Sequence, residues 1–224
     1  MKIILTGCTH RSEHKVKIPK CNLLIHTGDF DCNSQEELEN LDAWFSIQPA
    51  DKCIFVAGNH DFHLQKIGKE NIKKTMKNAI YLEDESLEIK GIKFYGFPWV
   101  PTLVNWAFYA DDKDMEEKVN QIPEGTDILI SHGPHYGILD QLRKANGDLG
   151  MSVGNIPLRD AIKKRIKPSI LVCSHIHEAF GYYYDYQTHF WNVSAMDEFY
   201  SLVNEPVLIE VEKIKGKLKI KEIE

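Results

Sequence analysis

The order of elements along this chain predicts a mixed α/β domain with two β-sheets, and three observations carry that expectation. Short apolar, β-rich runs alternate with amphipathic helical patterns through the first third of the sequence. Glycine-centred hairpins at Lys90-Gly91 and Lys215-Gly216 add antiparallel strands that a single doubly wound sheet does not use. Side chains with metal-binding chemistry recur just past the ends of predicted strands, where α/β sheets hold their ligands.

Taken in order, Ile3 to Leu5, Leu23 to His26 and Ile54 to Ala57 read as buried parallel strands. Between the second and third, Ser34-Gln35-Glu36-Glu37 is a capping box. It opens a helix whose Leu38, Leu41 and Phe45 share one face. Leu87 to Ile89 and Ile92 to Tyr95 form the first hairpin. Ile128 to Ile130, Ile170 to Cys173 and Phe190 to Val193 are further strands. A helix is expected from Asn155-Ile156-Pro157, carrying Leu158, Ile162 and Ile166 at i, i+4 and i+8. Tyr182-Tyr183-Tyr184 suits an edge strand or packing. Val207 to Glu212 and Leu218 to Ile223 make the last hairpin. With 224 residues, no internal repeat and no Pro/Gly/Ser linker, residues 1–224 are expected to form one domain.

Composition narrows the function. Hydrophobic residues make up 43% and charged residues 27%, an ordinary globular balance. The net charge of −6, with Lys and Arg dispersed, argues against a protein that grips nucleic-acid backbone. A small phosphate ester remains compatible, because bound cations would supply positive charge locally. No apolar run approaches the ~18 residues of a membrane span, and Met1-Lys2-Ile3-Ile4-Leu5 lacks the features of a secretory leader. Five cysteines without a CxxC pair suggest a reducing cytoplasm.

The chemistry lies in Cys8-Thr9-His10, Gly28-Asp29, Gly58-Asn59-His60-Asp61, Ser131-His132-Gly133 and His175-Ile176-His177. The Asp29 carboxylate has two oxygens and can bridge two cations. Asn59 offers a neutral carbonyl oxygen to a hard cation. His60, beside it, is placed to protonate a leaving oxygen. Asp61 either orients that imidazole or caps the following turn. On an extended segment His175 and His177 point to the same side, whereas at a turn they would address different metals. Any one motif alone reads equally well as a turn or a packed core residue; the ordered set does not.

That ordered set resembles the calcineurin-like metallophosphoesterase family, and within it the small MPPED-type branch. Leu24-Ile25-His26-Thr27-Gly28-Asp29-Phe30, Tyr95-Gly96-Phe97-Pro98-Trp99 and Ile176-His177-Glu178-Ala179-Phe180-Gly181 echo that branch. The resemblance implies a four-layer α/β/β/α sandwich of two mixed sheets flanked by helices. It implies two divalent cations (Mn, Fe or Zn), one held by Cys8, His10, Asp29 and His177, the other by Asp29, Asn59, His132 and His175. A bridging hydroxide would attack phosphorus, with His60 as general acid. The implied activity is phosphodiester hydrolysis on a cyclic or related nucleotide. The alternative is a weakly active nucleotide-binding sensor or scaffold with an impaired first metal site.

Two departures bear on this expectation. The family carries Asp where this chain has Cys8, and Gly where it has Ser174. As a thiolate, Cys8 would favour Zn²⁺ or Fe²⁺ over Mg²⁺; otherwise it is a small buried thiol that never touches metal. Some members of the branch lack the first His of the last motif, but this chain keeps His175. For substrate contacts, Arg11 offers guanidinium geometry to a phosphate. Trp99, within the aromatic stretch Phe97, Trp99, Trp106, Phe108 and Tyr109, offers a ring to a nucleobase. His135 is placed with them by its nearness to His132.

Overall fold

Two six-stranded sheets face one another across an apolar middle layer. The computed structural model describes residues 1–143 and 147–222. The first sheet is built from β1 (Lys2–Thr6), β2 (Cys21–His26), β3 (Ala50–Phe55) and the short β4 (Ile80–Tyr81), all parallel. The second holds β5 (Glu85–Ile89), β6 (Ile92–Phe97) and β7 (Ile128–Ser131). A separate hairpin, β8 (Gln141–Arg143) with β9 (Leu149–Ser152), precedes β10 (Ile170–Cys173), β11 (Gly181–Tyr184) and β12 (His189–Asn192). The chain then returns to the first sheet through β13 (Val207–Ile214) and β14 (Lys217–Glu222). Ile223, at the end of the expected last strand, lies outside the described residues.

The strand orders are β14-β13-β1-β2-β3-β4 and β11-β12-β10-β7-β6-β5. Both sheets are mixed. β13 runs antiparallel to β1, and both β5 and β11 run antiparallel to their neighbours. The hairpins expected at Lys90-Gly91 and Lys215-Gly216 are present, and Tyr182 to Tyr184 form an edge strand.

Side-chain alternation explains the layering. Ile3, Leu5, Leu23, Ile25 and Ile54 point into the middle layer, where they meet Phe94, Ile128, Ile130, Ile170 and Val172 of the other sheet. Their neighbours Ile4, Leu24 and Phe55 point outward, under α1 (Gln35–Ser46), α2 (Phe62–Ile67) and α3 (Lys69–Thr75), against Leu38, Leu41, Phe45, Leu64 and Ile72. On the far side Tyr95, Phe97, Leu129 and Leu171 pack under α4 (Asp112–Asn120), α5 (Ile156–Ala161) and the turn after it through Met115, Val119, Leu158, Ile162 and Ile166. The four-layer α/β/β/α sandwich follows. Among the described residues no helix is long and apolar enough to cross a membrane.

The caps act as their chemistry suggests. Ser34 accepts from Glu37 N at 3.2 Å, while the Glu37 carboxylate reaches back to Asn33 N at 2.6 Å. Asn155 caps α5 by accepting from Leu158 N at 2.9 Å. α5 is short because residues Ile162–Ile166 widen into a π-type turn that keeps Ile162 and Ile166 in the core.

The sheets are joined where their parallel strands end. Gly7 bridges to Ser194, and Ala195 N donates to Gly7 O at 2.8 Å. Thr27 Oγ1 donates to Ser174 Oγ at 2.8 Å. The carboxyl ends of β1, β2, β3, β7 and β10 therefore open onto one rim.

Candidate metal centre

Five loops leave that rim, and each carries one of the sequence motifs. The backbone there is unusual. Cys8 (φ 46), His10 (φ 42), Asp29 (φ 59), Asp31 (φ 61) and His175 (φ 68) all occupy the left-handed region. Non-glycine residues rarely sit there, and such conformations concentrate at functional sites. Gly28 (φ 98) and Gly58 provide the close approach: a Cβ on Gly28 would sit 2.6 Å from Gly58 N, and one on Gly58 would strike Asp29 and His132.

Buried Asp61 locks two of these loops together. One carboxylate oxygen accepts from Gly58 N (2.8 Å) and Asp29 N (3.0 Å), the other from Phe30 N (3.0 Å) and Cys32 N (3.1 Å). Burial and the Asp29 charge push its carboxyl up to about 7, against amides that favour the anion.

On one side of Asp29 lie Cys8, His10 and His177. Their donor atoms all lie within 4.8 Å of one another. His10 Nε2 is 3.2 Å from His177 Nε2 and 3.7 Å from Asp29 Oδ2, which is itself 4.0 Å from Cys8 Sγ. His175 N donates to Cys8 Sγ at 3.1 Å. Burial alone would push the Cys8 thiol up, but hydrogen bonds from His10 and His177 outweigh it and hold the thiol at about 5. Burial would likewise lower His10, yet Asp31 and Cys8 raise it to about 10.

On the other side stands His132. Its Nε2 is 3.0 Å from Asn59 Oδ1 and 3.4 Å from Asp29 Oδ1. His175 packs against it with ring centroids 5.1 Å apart. Asp29, despite burial, is held below the usual carboxylate range by His132 and His10. Burial and the neighbouring His132 push His175 down to about 3, so its imidazole is neutral.

Three of the four floor histidines have Nδ1 committed. His10 Nδ1 lies 2.9 Å from Asp31 Oδ1, His132 Nδ1 donates to Thr27 O at 2.7 Å, and His177 Nδ1 donates to Asp197 O at 2.9 Å. Each therefore presents Nε2 to the interior, the arrangement by which metal-ligating imidazoles are fixed. Buried sulfur, nitrogen and oxygen donors so arranged fit divalent cations.

Above this floor is a cavity of about 270 Å³, walled by Asn59, His60, His175 and His177 and, at its mouth, by Leu103, Trp106, Glu178, Glu198 and Tyr200. His60 Nδ1 lies 3.1 Å from Asp31 Oδ1. Its ring meets Trp106 at 4.5 Å, and the Tyr200 ring leans on His10 (4.8 Å) and His177 (5.2 Å).

Cys8, His10, Asp29, Asn59, His60, His132, His175 and His177 thus lie together at one end of the sheets. Four other expectations are corrected. Asp61 neither orients the His60 imidazole nor caps the following helix with its side chain: its oxygens are taken by the amides of Gly58, Asp29, Phe30 and Cys32, and it is Asp31 that meets His60 Nδ1. Trp99 does not line the cavity: its Nε1 donates to Asp84 at 2.9 Å and Lys118 Nζ covers its ring at 3.2 Å. His135 is buried against Phe190 and donates from Nδ1 to Tyr136 O at 2.8 Å. Arg11 is exposed and paired with Glu37 at 2.5 Å. Within the aromatic stretch it is Trp106, not Trp99, that reaches the cavity, and Asp31 and Tyr200 are site residues that the sequence reading does not include. Asp31 had a signal, standing two residues past Asp29 in the same loop; Tyr200 sits in a stretch with no motif.

The calcineurin-like phosphoesterase family model matches residues 1–179, which includes every one of these floor residues. Human metallophosphoesterase domain-containing protein 1 is 30% identical, the match spanning 94% of this chain and 71% of that protein. A UPF0046 protein of Caenorhabditis elegans is 29% identical over 94% of this chain and 60% of its own. Among solved structures, phosphopantetheinyl hydrolase (PptH) from Mycobacterium tuberculosis superposes with a TM-score of 0.61 at 14% identity, covering 89% of this chain and 90% of that one. That likeness speaks to the fold.

Proposed function

This chain belongs to the calcineurin-like phosphoesterase family, and on that premise we propose that it is a metal-dependent phosphodiesterase acting on a cyclic or related nucleotide. The observation that carries the reading is the convergence of Cys8, His10, Asp29, Asn59, His132, His175 and His177 beneath a cavity, with His60 on its wall. Residues 1–224 act in this reading as one catalytic domain.

Two divalent cations, held by Cys8, His10, Asp29 and His177 and by Asp29, Asn59, His132 and His175, would supply Lewis-acid activation of a water and offset charge on the phosphoryl oxygens. The chain's own groups do the rest. Asp29 turns one oxygen toward each half of the cluster. Asp31 fixes the His60 ring through Nδ1, leaving Nε2 to give its proton to the departing ester oxygen. Trp106 and Tyr200 flank His60 and offer faces for a base or another flat leaving portion. Among the described residues no Lys or Arg lines the cavity, which suits a singly charged diester better than a polyphosphate. All five cysteines are free, in keeping with a reducing cytoplasm; fractionation of cells expressing the tagged protein would test that placement.

Turnover of bis(p-nitrophenyl) phosphate and of cyclic AMP should appear when the protein is supplied with Mn²⁺. Asp29→Asn should lose both activities while remaining folded, and His60→Ala should lose cyclic AMP turnover far more than that of bis(p-nitrophenyl) phosphate. Wild-type rates in both variants would falsify the reading.

A further inference from the structure

The two halves of the donor cluster differ in charge, softness and support. On the Cys8 side, a buried sulfur and a carboxylate oxygen stand with two imidazoles. The sulfur accepts a backbone N–H from His175 at 3.1 Å, a contact that suits a thiolate. His10 is backed by a carboxylate, Asp31 Oδ1, at 2.9 Å. Carboxylate-backed imidazoles are the more basic ligands. On the other side the charge comes from Asp29 alone. Asn59 is a neutral oxygen donor, and His132 is backed by a peptide carbonyl, Thr27 O.

Resting on the metallophosphoesterase reading for its placement, we propose that the two cation positions are unequal. Cys8, His10, His177 and one oxygen of Asp29 form a thiolate-anchored position that retains a borderline ion such as Zn²⁺ or Fe²⁺. Asn59, His132, His175 and the other oxygen of Asp29 form a weaker position that exchanges a hard ion such as Mn²⁺. The protein is a heterodinuclear one, and the cysteine is the anchor of its first site. Thiolate selects the softer ion, whereas carboxamide and carboxylate oxygen accept the harder one. The third close trio, His10, Asp31 and His60, is no extra cation position, because both imidazoles spend Nδ1 on Asp31.

The test is metal content and spectroscopy. Chelator-stripped protein is given one equivalent of Zn²⁺ and excess Mn²⁺, then dialysed and analysed for both elements. About one Zn²⁺ per chain should remain, with Mn²⁺ largely lost. One equivalent of Co²⁺ should give an intense near-ultraviolet thiolate-to-cobalt band, which Zn²⁺ then abolishes. Cys8→Ser should lack the band and release Zn²⁺ on the order of 100-fold more readily; Asp31→Asn should keep the band and release Zn²⁺ roughly 10–100-fold more readily. Asn59→Ala should lose Mn²⁺ retention alone.

Absence of the cobalt band in the wild-type protein would overturn the proposal, and so would equal retention of the two ions. Both readouts use the unaltered chain, so they stand even where Cys8→Ser fails to fold. They are independent of turnover. A cobalt band without diesterase activity would sink the functional reading and keep this one; diesterase activity without the band would do the reverse.

Discussion

The floor and the mouth of the cavity are built on opposite principles. Most floor residues are buried, and three of the imidazoles and the Asp61 carboxylate are tied to a second group: Asp31 behind His10, Thr27 behind His132, Asp197 behind His177, four amides around Asp61. At the mouth, Trp106 and Tyr200 are 38% and 52% exposed, and Glu198 is exposed as well. The first region fixes geometry, which the chemistry of phosphoryl transfer demands. The second offers surface that can adapt to a substrate's remainder.

If that contrast holds, substitutions should fall in a definite order. Asp29→Asn, which removes the shared charge of the floor, should cost about 10³-fold or more in kcat/KM for bis(p-nitrophenyl) phosphate. Next comes His60→Ala. Loss of a general acid should cost about 10²–10³-fold with an alkoxide leaving group and much less with p-nitrophenolate. An equal loss with both leaving groups would remove His60 from the proton-donor role.

Asp61→Ala should act on stability rather than chemistry, leaving four buried amides unpaired and costing about 3 kcal/mol or more in denaturant unfolding. An unchanged unfolding midpoint would show that the two loops are held by something else. Trp106→Ala should raise KM for a nucleotide diester by about tenfold, one stacking contact, with kcat little changed. Smallest of all, Trp99→Phe should leave turnover untouched, because its indole serves Asp84 and Lys118. A KM effect there to match that of Trp106 would erase the distinction between packing aromatic and mouth aromatic.

The same contrast explains what could be read from the sequence. Floor residues were legible because cation chemistry restricts residue type, and strand ends repeat the same short motifs. The two sheets were legible because apolar alternation is fixed by the pleat, and because glycines mark both long hairpins. Asp31 escaped notice because its role depends on a left-handed turn (φ 61) that swings it back between His10 and His60. Trp99 was misplaced because an aromatic in a loop looks alike whether it faces solvent or a helix; here Lys118 of α4 draws it inward. Tyr200 lies at a turn organised by Asp197, whose carboxylate accepts from Phe199 N and Ser201 N, a pattern visible only once the loop is folded. Short α2, α3 and β4 carry too little periodicity to declare themselves.

The left-handed backbone at Cys8, His10, Asp29 and His175 has a thermodynamic consequence. Each such residue costs on the order of 1 kcal/mol that the bare polypeptide must bear. Cations gripping those side chains would offset that cost only in the folded state, so the rim behaves as a spring latched by its ions. The melting temperature should therefore climb with free metal concentration and fall in chelator. Heat resistance of the protein would then serve as a gauge of metal supply, readable in a crude extract without any substrate at all.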